Sequence, residues 1–450
     1  MSDLLDISPL RESAADLVQA ARAAGADSAD AVAVRGVSRG VEVRGGKVEE
    51  IEHSESDDLG LRVFVGKRSA IVSTSAVDVG GFQELAERAV AMARIAPEDD
   101  YAGIADASLT GISEEELDLL DTTEVEIDTL REVALEAEDA CLAVDGVKKS
   151  GGASASTGLG GVVLVSSNGF AGGYLRSRHG VSVSAIAGEG TGMQRDYDYA
   201  SALHRGDLRS AVEIGKRAGE RAVERLNPDK METGRGDVVF DPRVAATLVS
   251  HLAGAVNGAA IARGTSMLKS RMGERIFSPG VVIVDDPLRH RGLASRPFDG
   301  DGIVTAPRTL VEDGVLKSWL LDLSTARELK LKTTGHAARG IGSAPSPSST
   351  NLAMLPGTEA PDALIAGVKH GIYVTELIGR GANTVTGDYS RGAAGFRIRD
   401  GKLGEPVAEI TIAGNLMDMF ARLVPANDLE YRNATNAPTI LVEGMTIAGR

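Results

Sequence analysis

The sequence predicts an α+β protein, with an N-terminal mixed α/β domain on an antiparallel sheet followed by a β-rich C-terminal domain. Three observations carry that prediction. The first 95 residues run helix, short alternating strands, helix. Two breakers, Asn227-Pro228 and Gly234-Arg235-Gly236, sit inside one polar run. Beyond Val281 the pattern is mainly that of β-strands separated by turns. A chain of 450 residues is too long for one small core, so two domains are expected, 1–230 and 231–450, with an acidic linker at about 97–127.

Ser8-Pro9 opens an amphipathic helix with Leu10, Ala14, Leu17, Val18 and Ala21 inward, stopped by Gly25. Ala31 to Val34, Val41 to Val43 and Val48 to Ile51 alternate as short strands around a turn at Gly45-Gly46. Leu61 to Val65 and Ser69 to Ser75 form a hairpin through Gly66-Lys67. A helix from about Gly81 to Arg94 places Leu85, Ala89 and Met92 on one side. After the linker, Ile127, Leu130, Val133, Ala137 and Cys141 recur at helical spacing. Gly160 to Ser166 and Val181 to Ala187 follow as strands, then a helix from Leu208 to Leu226. The second domain opens with strand Asp237 to Phe240 and a helix from Pro242 to about Ile261. Val281 to Val284, Thr309 to Val315 with its turn at Asp313-Gly314, and Thr439 to Glu443 are strands. Ala344 to Ser349 is a surface loop. No repeat of fixed period is visible.

Hydrophobic content of 43% and charge of 25% are those of a soluble globular protein. Aromatics are only 4% while Gly reaches 54 residues, so cores of Val, Leu, Ile and Ala with close backbone approaches are expected. The net charge of −16 opposes nucleic acid as a partner, because phosphate binding needs a basic face. About 16 carboxylates between Glu98 and Asp139 face the lone Arg131. A solvated helix face explains them before a docking surface for a basic partner does. Cys141 falls on an apolar helix register and reads as a buried structural thiol. With no second Cys and no basic-then-apolar N-terminal pattern, a cytoplasmic protein is expected. No apolar run reaches the ~20 residues a membrane span requires.

The densest information lies in Asn383 to Asn415. Phe396 and Ile398 alternate with polar residues, face Leu403 and Val407, and flank Asp400-Gly401, the φ > 0 pair of a tight hairpin. Ahead of it, Gly387-Asp388-Tyr389-Ser390-Arg391-Gly392 reads as an irregular loop. Its Asp388 and Arg391 either pin the loop through a salt bridge or hold a peptide. This string, with the ending Leu441-Val442-Glu443-Gly444-Met445-Thr446-Ile447-Ala448-Gly449, resembles the signature of the TldD/PmbA family of bacterial and archaeal peptidases, in its PmbA (TldE) branch. The resemblance covers nearly the whole chain and is most specific from Gly236 to Gly449.

TldD proteins, the resemblance implies, are zinc peptidases with an HExxxH helix motif and further ligands downstream. The histidines bind zinc and the Glu activates a metal-bound water. Here the corresponding helix reads Ser250-His251-Leu252-Ala253-Gly254-Ala255. Ser250 and Ala255 stand at the two histidine positions and His251 at the Glu. Gly254 and Gly264-Thr265-Ser266 keep the family pattern. The scaffold is retained and the ligands are replaced, so neither a metal nor a catalytic residue is expected on this chain. The resemblance instead implies a TldD-type partner bearing the zinc. Asn383, Asp388, Ser390 and Arg391 are the candidate contacts to substrate or partner.

Other chemistry fares worse. Asp285-Asp286 with His290 is the one carboxylate–histidine cluster, and a strand end with a polar turn explains it before a site does. His251 beside Leu248 and Leu252 reads as a partly buried histidine. The G-x-S-x-G elbow, the dinucleotide fingerprint (Val163 occupies its third Gly position) and the P-loop are all absent. The function that the resemblance implies is a cleft-completing subunit of a two-subunit, cytoplasmic zinc metallopeptidase acting on extended peptides and unfolded proteins. The rival is a homodimeric, non-enzymatic peptide-binding or chaperone-like protein.

Overall fold

The long strands of the first sheet organise the molecule. This is a computed structural model, and it describes residues 2–75, 79–379 and 381–449. A short helix α1 (Ser2–Leu5) and α2 (Ser8–Ala23) precede strands β1 (Ser28–Arg44), β2 (Lys47–Val65) and β3 (Arg68–Thr74). Helices α3 (Phe82–Ile95) and α4 (Ile127–Leu142) lead into β4 (Val147–Ser166), β5 (Ala171–Ala187), β6 (Gln194–Ala202) and α5 (Ala211–Glu224). The six strands form one sheet in the order β3-β2-β1-β4-β5-β6, every pair antiparallel.

The expected short strands prove to be pieces of strands 17 to 20 residues long. Their alternation was interrupted for a physical reason: only one face of each is fully covered. Helices α2 and α3 bury Leu59, Leu61 and Val63 on one half of the sheet. Helices α4 and α5 bury Val41, Val43, Ala153, Ala155, Val181 and Val183 on the other half. Cys141 is fully buried there, and burial, then Glu138, pushes its thiol up to about 11. The β1–β2 turn is anchored by Glu138, whose carboxylate accepts from the Gly45 and Gly46 amides at 2.9 and 2.8 Å.

The C-terminal half begins with β7 (Gly234–Phe240) and α6 (Pro242–Ala255), then β8 (Ile283–Asp285), β9 (Arg308–Glu312) and β10 (Val315–Leu316). After β11 (Ala337–Ala338), β12 (Ser346–Pro347) and β13 (Leu352–Met354) come β14 (His370–Ile378), β15 (Asp388–Arg399) and β16 (Lys402–Asn415). The last strands are β17 (Leu423–Pro425), β18 (Thr435–Asn436) and β19 (Ile440–Ala448). Strands run β16-β15-β14-β7-β19-β17, and a second pairing of β16 with β19 closes five of them into a barrel. Helix α6 lays Val244, Leu248, Val249 and Leu252 into the same core as Phe240, Ile372, Val374 and Ile412. A smaller sheet, β10-β9-β8-β13-β18, packs beside it.

The predicted helix to Ile261 is broken. Asn257 is extended and its side chain caps a new turn, Gly258–Ala262. A Cβ on Gly258 would lie 2.7 Å from the Leu321 and Thr325 side chains, so the chain bends to fit. The Asp400-Gly401 hairpin forms as expected, with φ of 46° and 75° between paired Arg399 and Lys402. The acidic segment has neither helix nor strand from 96 to 126. It bridges the halves: Arg327 donates to the carbonyls of Tyr101, Gly103 and Ile104.

Two buried charge clusters join the halves. Asp30 accepts from Arg62 and from Arg339, each at 2.5 Å, and Arg62 reaches Asp301 at 3.3 Å. Asp196 accepts from Arg243 at 2.8 Å and Arg225 at 3.3 Å, and Arg225 also pairs with Glu376. Gly60 permits the close approach at the first cluster, since a Cβ there would sit 1.9 Å from the Ile341 carbonyl oxygen. No helix among the described residues is long and apolar enough to cross a membrane.

Candidate functional site: the degenerate motif helix and the signature strand

Helix α6 starts where Asp241 caps it, accepting from the Arg243 amide at 2.9 Å, with Pro242 in the first turn. Its three motif positions have different surroundings. Ser250 is exposed, and its hydroxyl donates back to the Ala246 carbonyl at 3.0 Å. His251 is half-buried. Ala255 is fully buried in the barrel core, and its carbonyl accepts from the Ser266 hydroxyl at 2.6 Å.

The signature segment lies against this helix. The Thr384 carbonyl accepts from Met267 at 2.8 Å, and a Cβ on Gly254 would sit 3.8 Å from the Thr384 methyl. Tyr389 is buried, and its ring meets His251 edge-on, centroids 6.0 Å apart at 74°. Thus the structure brings together two stretches that the sequence singled out separately. The contact residue, Tyr389, was not among the expected site residues. Its signal was its place as the apolar member of a polar string.

One expectation is corrected. Gly387 to Gly392 is not an irregular loop, because Asp388 begins β15 and pairs with Asn415. Successive strand residues point to opposite faces, so Asp388 and Arg391, three apart, cannot face each other. They make no ion pair among the described residues. Asp388 instead accepts from the Thr386 hydroxyl at 2.7 Å, while Arg391 Nε makes a long 3.4 Å contact to the Ile378 carbonyl. Asp388 and Ser390 lie outward and exposed, whereas Arg391 shares the face of Tyr389. Asn383, also exposed, folds the turn by accepting from Val385 at 2.9 Å. Gly381 lets the chain hug the strand. A Cβ there would fall 1.4 Å from the Ser390 oxygen.

The electrostatics are those of a buried aromatic contact rather than a charged centre. Burial, then Arg391, pushes the His251 imidazole below its ordinary value. Burial drives the Tyr389 hydroxyl upward. His251 Nε2 and Tyr389 OH are both buried without a hydrogen-bond partner. A zinc site does not fit these positions. Ala255 has no donor atom, the Ser250 hydroxyl is engaged by the helix, and a single imidazole is left. Among the described residues no three His, Cys, Asp or Glu side chains are grouped to hold a metal.

The Asp285, Asp286 and His290 cluster is split. Asp285 is fully buried and accepts from Thr350 at 2.7 and 2.5 Å and from His336 at 3.1 Å. Asp286 caps the turn at Leu288, and His290 stands 62% exposed beside Asp118.

Comparison with known proteins agrees with this architecture. Three family models cover the chain: PmbA/TldA metallopeptidase domain 1 over residues 29–93, the central domain over 120–226 and the C-terminal domain over 233–449. The chain belongs to the PmbA/TldD metallopeptidase family. It is 35% identical to a metalloprotease PmbA homolog of Haemophilus influenzae, over 98% of this chain and 96% of that protein. Identity to metalloprotease PmbA of Escherichia coli is also 35%, covering 94% and 93%. A crystal structure of TldE from Thermococcus kodakarensis superposes with a TM-score of 0.87 over 97% of this chain and 100% of that one. At 20% identity it attests the fold alone.

Proposed function

We propose that this chain is the metal-free subunit of a two-subunit, cytoplasmic zinc metallopeptidase that processes or degrades extended peptides and unfolded proteins. One observation carries the reading. At the position of the family's zinc helix, the second-histidine site is Ala255, buried in the core and without a donor, while the surrounding helix and strand are intact. The zinc and the water it activates then belong to a TldD-type partner, and this chain completes the cleft.

An open strand edge supports the peptide part of the reading. β3 pairs with β2 only from Leu59 onward, so Lys47 to Asp58 have β1 on one side and, among the described residues, no strand on the other. An extended chain adds to such an edge through main-chain hydrogen bonds, with little regard to side chain. Glu49, Glu50, Glu52 and Glu55 along it discourage uncontrolled pairing between copies. The rival, a homodimeric peptide-binding or chaperone-like protein, requires no partner. Copurification of an HExxxH-bearing homologue at equal stoichiometry supports the first reading. A stable homodimer with no such partner supports the rival. Elemental analysis of the dialysed, isolated chain should find zinc well below one per chain, and about one tightly held zinc would overturn the proposal.

A further inference from the structure

The face of the first sheet opposite its helices carries a cationic cleft outside the motif site. Four strands place small residues side by side there. Ser56 and Ser54 of β2 pair with Gly36 and Ser38 of β1, which pair with Gly160 and Gly158 of β4, which pair with Arg176 and Arg178 of β5. The loop at Leu293 to Arg296 forms the opposite wall of a cavity of about 550 Å³. Its lining includes Arg176, Arg178 and Arg296 and no Asp or Glu. That is unexpected in a chain of net charge −16.

The three guanidiniums have few partners. Arg296 is fixed at its backbone, where its amide donates to Pro287 at 2.9 Å and its carbonyl accepts from Thr305 at 2.7 Å. Its Nε and Nη2 are nevertheless buried without a hydrogen-bond partner. Arg296 makes no ion pair among the described residues. Asp299 feels its field, but burial and neighbouring Asp301 push that carboxyl up to about 7. Arg176 donates to the Leu293 carbonyl, and burial, with Arg178 and Arg296 adding to it and Tyr174 opposing, holds its pKa low. Arg178 is exposed on the same face. Buried donors left unpaired are costly, and a planar guanidinium fork fits a carboxylate in two parallel hydrogen bonds. The Gly and Ser floor has no bulky side chain to keep an extended chain away.

We propose that this cleft binds a carboxylate of an extended peptide, with Arg296 and Arg178 as its anchors and the Gly/Ser floor beneath the chain. The choice of a peptide over another anion rests on the peptidase-family reading above. The carboxylate comes either from the peptide's C-terminus or from an Asp side chain near it.

Binding to the full-length isolated chain tests this with three fluorescent versions of one unstructured peptide: free acid, C-terminal amide, and amide with an Asp beside the end. The free acid should bind at least tenfold tighter than the plain amide. Affinity of the Asp-bearing amide equal to the free acid assigns the site to side-chain carboxylates as well, and affinity equal to the plain amide assigns it to the terminus. Arg178→Gln and Arg296→Gln should each bring the free acid toward the amide's affinity. For Arg178, exposed and without an ion-pair partner among the described residues, the melting temperature should not move. Equal affinity of acid and amide, or unchanged acid binding in both variants, overturns the proposal. So does displacement of the acid by inorganic phosphate at lower concentration than by the unlabelled free-acid peptide. Turnover of the amide by a mixture with a TldD-type chain reads the family function separately, so either idea can fail while the other stands.

Discussion

His251 and Tyr389 meet edge-on, and each buries a polar atom that has no hydrogen-bond partner among the described residues. The contact is aromatic packing at a position where the zinc-bearing relatives implied by the sequence carry a glutamate. Replacing His251 by Phe keeps the ring contact and removes the unpaired nitrogen. Stability should stay within about 1 kcal/mol of the parent, read by thermal or denaturant unfolding. A large loss would mean that the imidazole has a polar role the packing does not reveal.

Arg391 touches this pair electrostatically, lowering the His251 pKa after burial has done so. Arg391→Ala should therefore raise the imidazole's pKa, visible in an NMR titration. The sign of the linkage follows. A depressed His contributes stability that is present above about pH 6.5, the ordinary value, and is lost as pH falls, and the variant should lose less of it. Its melting temperature at neutral pH should hardly change, because the 3.4 Å contact to Ile378 is weak. If Arg391 lines the shared cleft, peptide turnover by the assembled pair should fall roughly tenfold or more. A lowered melting temperature with intact turnover would make Arg391 structural.

Restoring the motif should fail. The triple change Ser250→His, His251→Glu and Ala255→His supplies the missing side-chain types, but Ala255 has no exposed surface. Forcing an imidazole into that core costs about 1–3 kcal/mol or more. The variant should melt earlier and still bind zinc below one equivalent. A stable variant holding one zinc would show that the barrel core yields there.

The buried cluster at the junction of the halves sets a contrasting expectation. Asp30 pairs with both Arg62 and Arg339, and Asp301 supplies the second carboxylate at Arg62. Asp30→Ala strips the buried Arg339 of its carboxylate and leaves Arg62 with Asp301 alone, and should cost about 3–5 kcal/mol, with the unfolding transition broadened or split as the halves uncouple. An unchanged transition would mean that solvent enters and screens the cluster.

Asp121 supplies a pH signature. Burial alone would raise its pKa, but hydrogen bonds from Thr123 and the Arg205 amide, with His179 nearby, bring it down to about 2. A depressed carboxylate contributes stability above about pH 4 that is lost as pH falls toward 2. Asp121→Asn should flatten that part of the stability–pH curve. An unaltered acid limb would assign the loss to other carboxylates.

Local chemistry was legible in the sequence and distant pairing was not. The Asp400-Gly401 turn, the Pro242 helix start and the Cys141 register each depend on residues a few positions apart, and each appears where the residues place it. The long first-sheet strands were read as fragments because Gly36, Gly40, Gly158 and Gly160 interrupt the apolar period on the face opposite the helices, where apolar packing is confined to a small cluster around Val32, Leu164, Phe170 and Phe298. The loop reading of Gly387 to Gly392 failed because a strand holds those residues, which also removes the Asp388–Arg391 pin from the two alternatives left open. Asp30–Arg339 and Asp196–Arg243 join residues 309 and 47 positions apart, and no spacing rule reaches that far. The cationic cleft needed four strands in register before Arg176, Arg178 and Arg296 became neighbours.

The central claim is that this chain completes a peptidase without carrying its metal. The most direct measurement is chelator-sensitive cleavage of an unstructured peptide, assayed for the purified chain alone and for an equimolar mixture with a TldD-type chain. The account predicts no cleavage by the chain alone and cleavage by the mixture that a chelator abolishes. Cleavage by the lone chain that survives rigorous purification and is abolished by a chelator would contradict it.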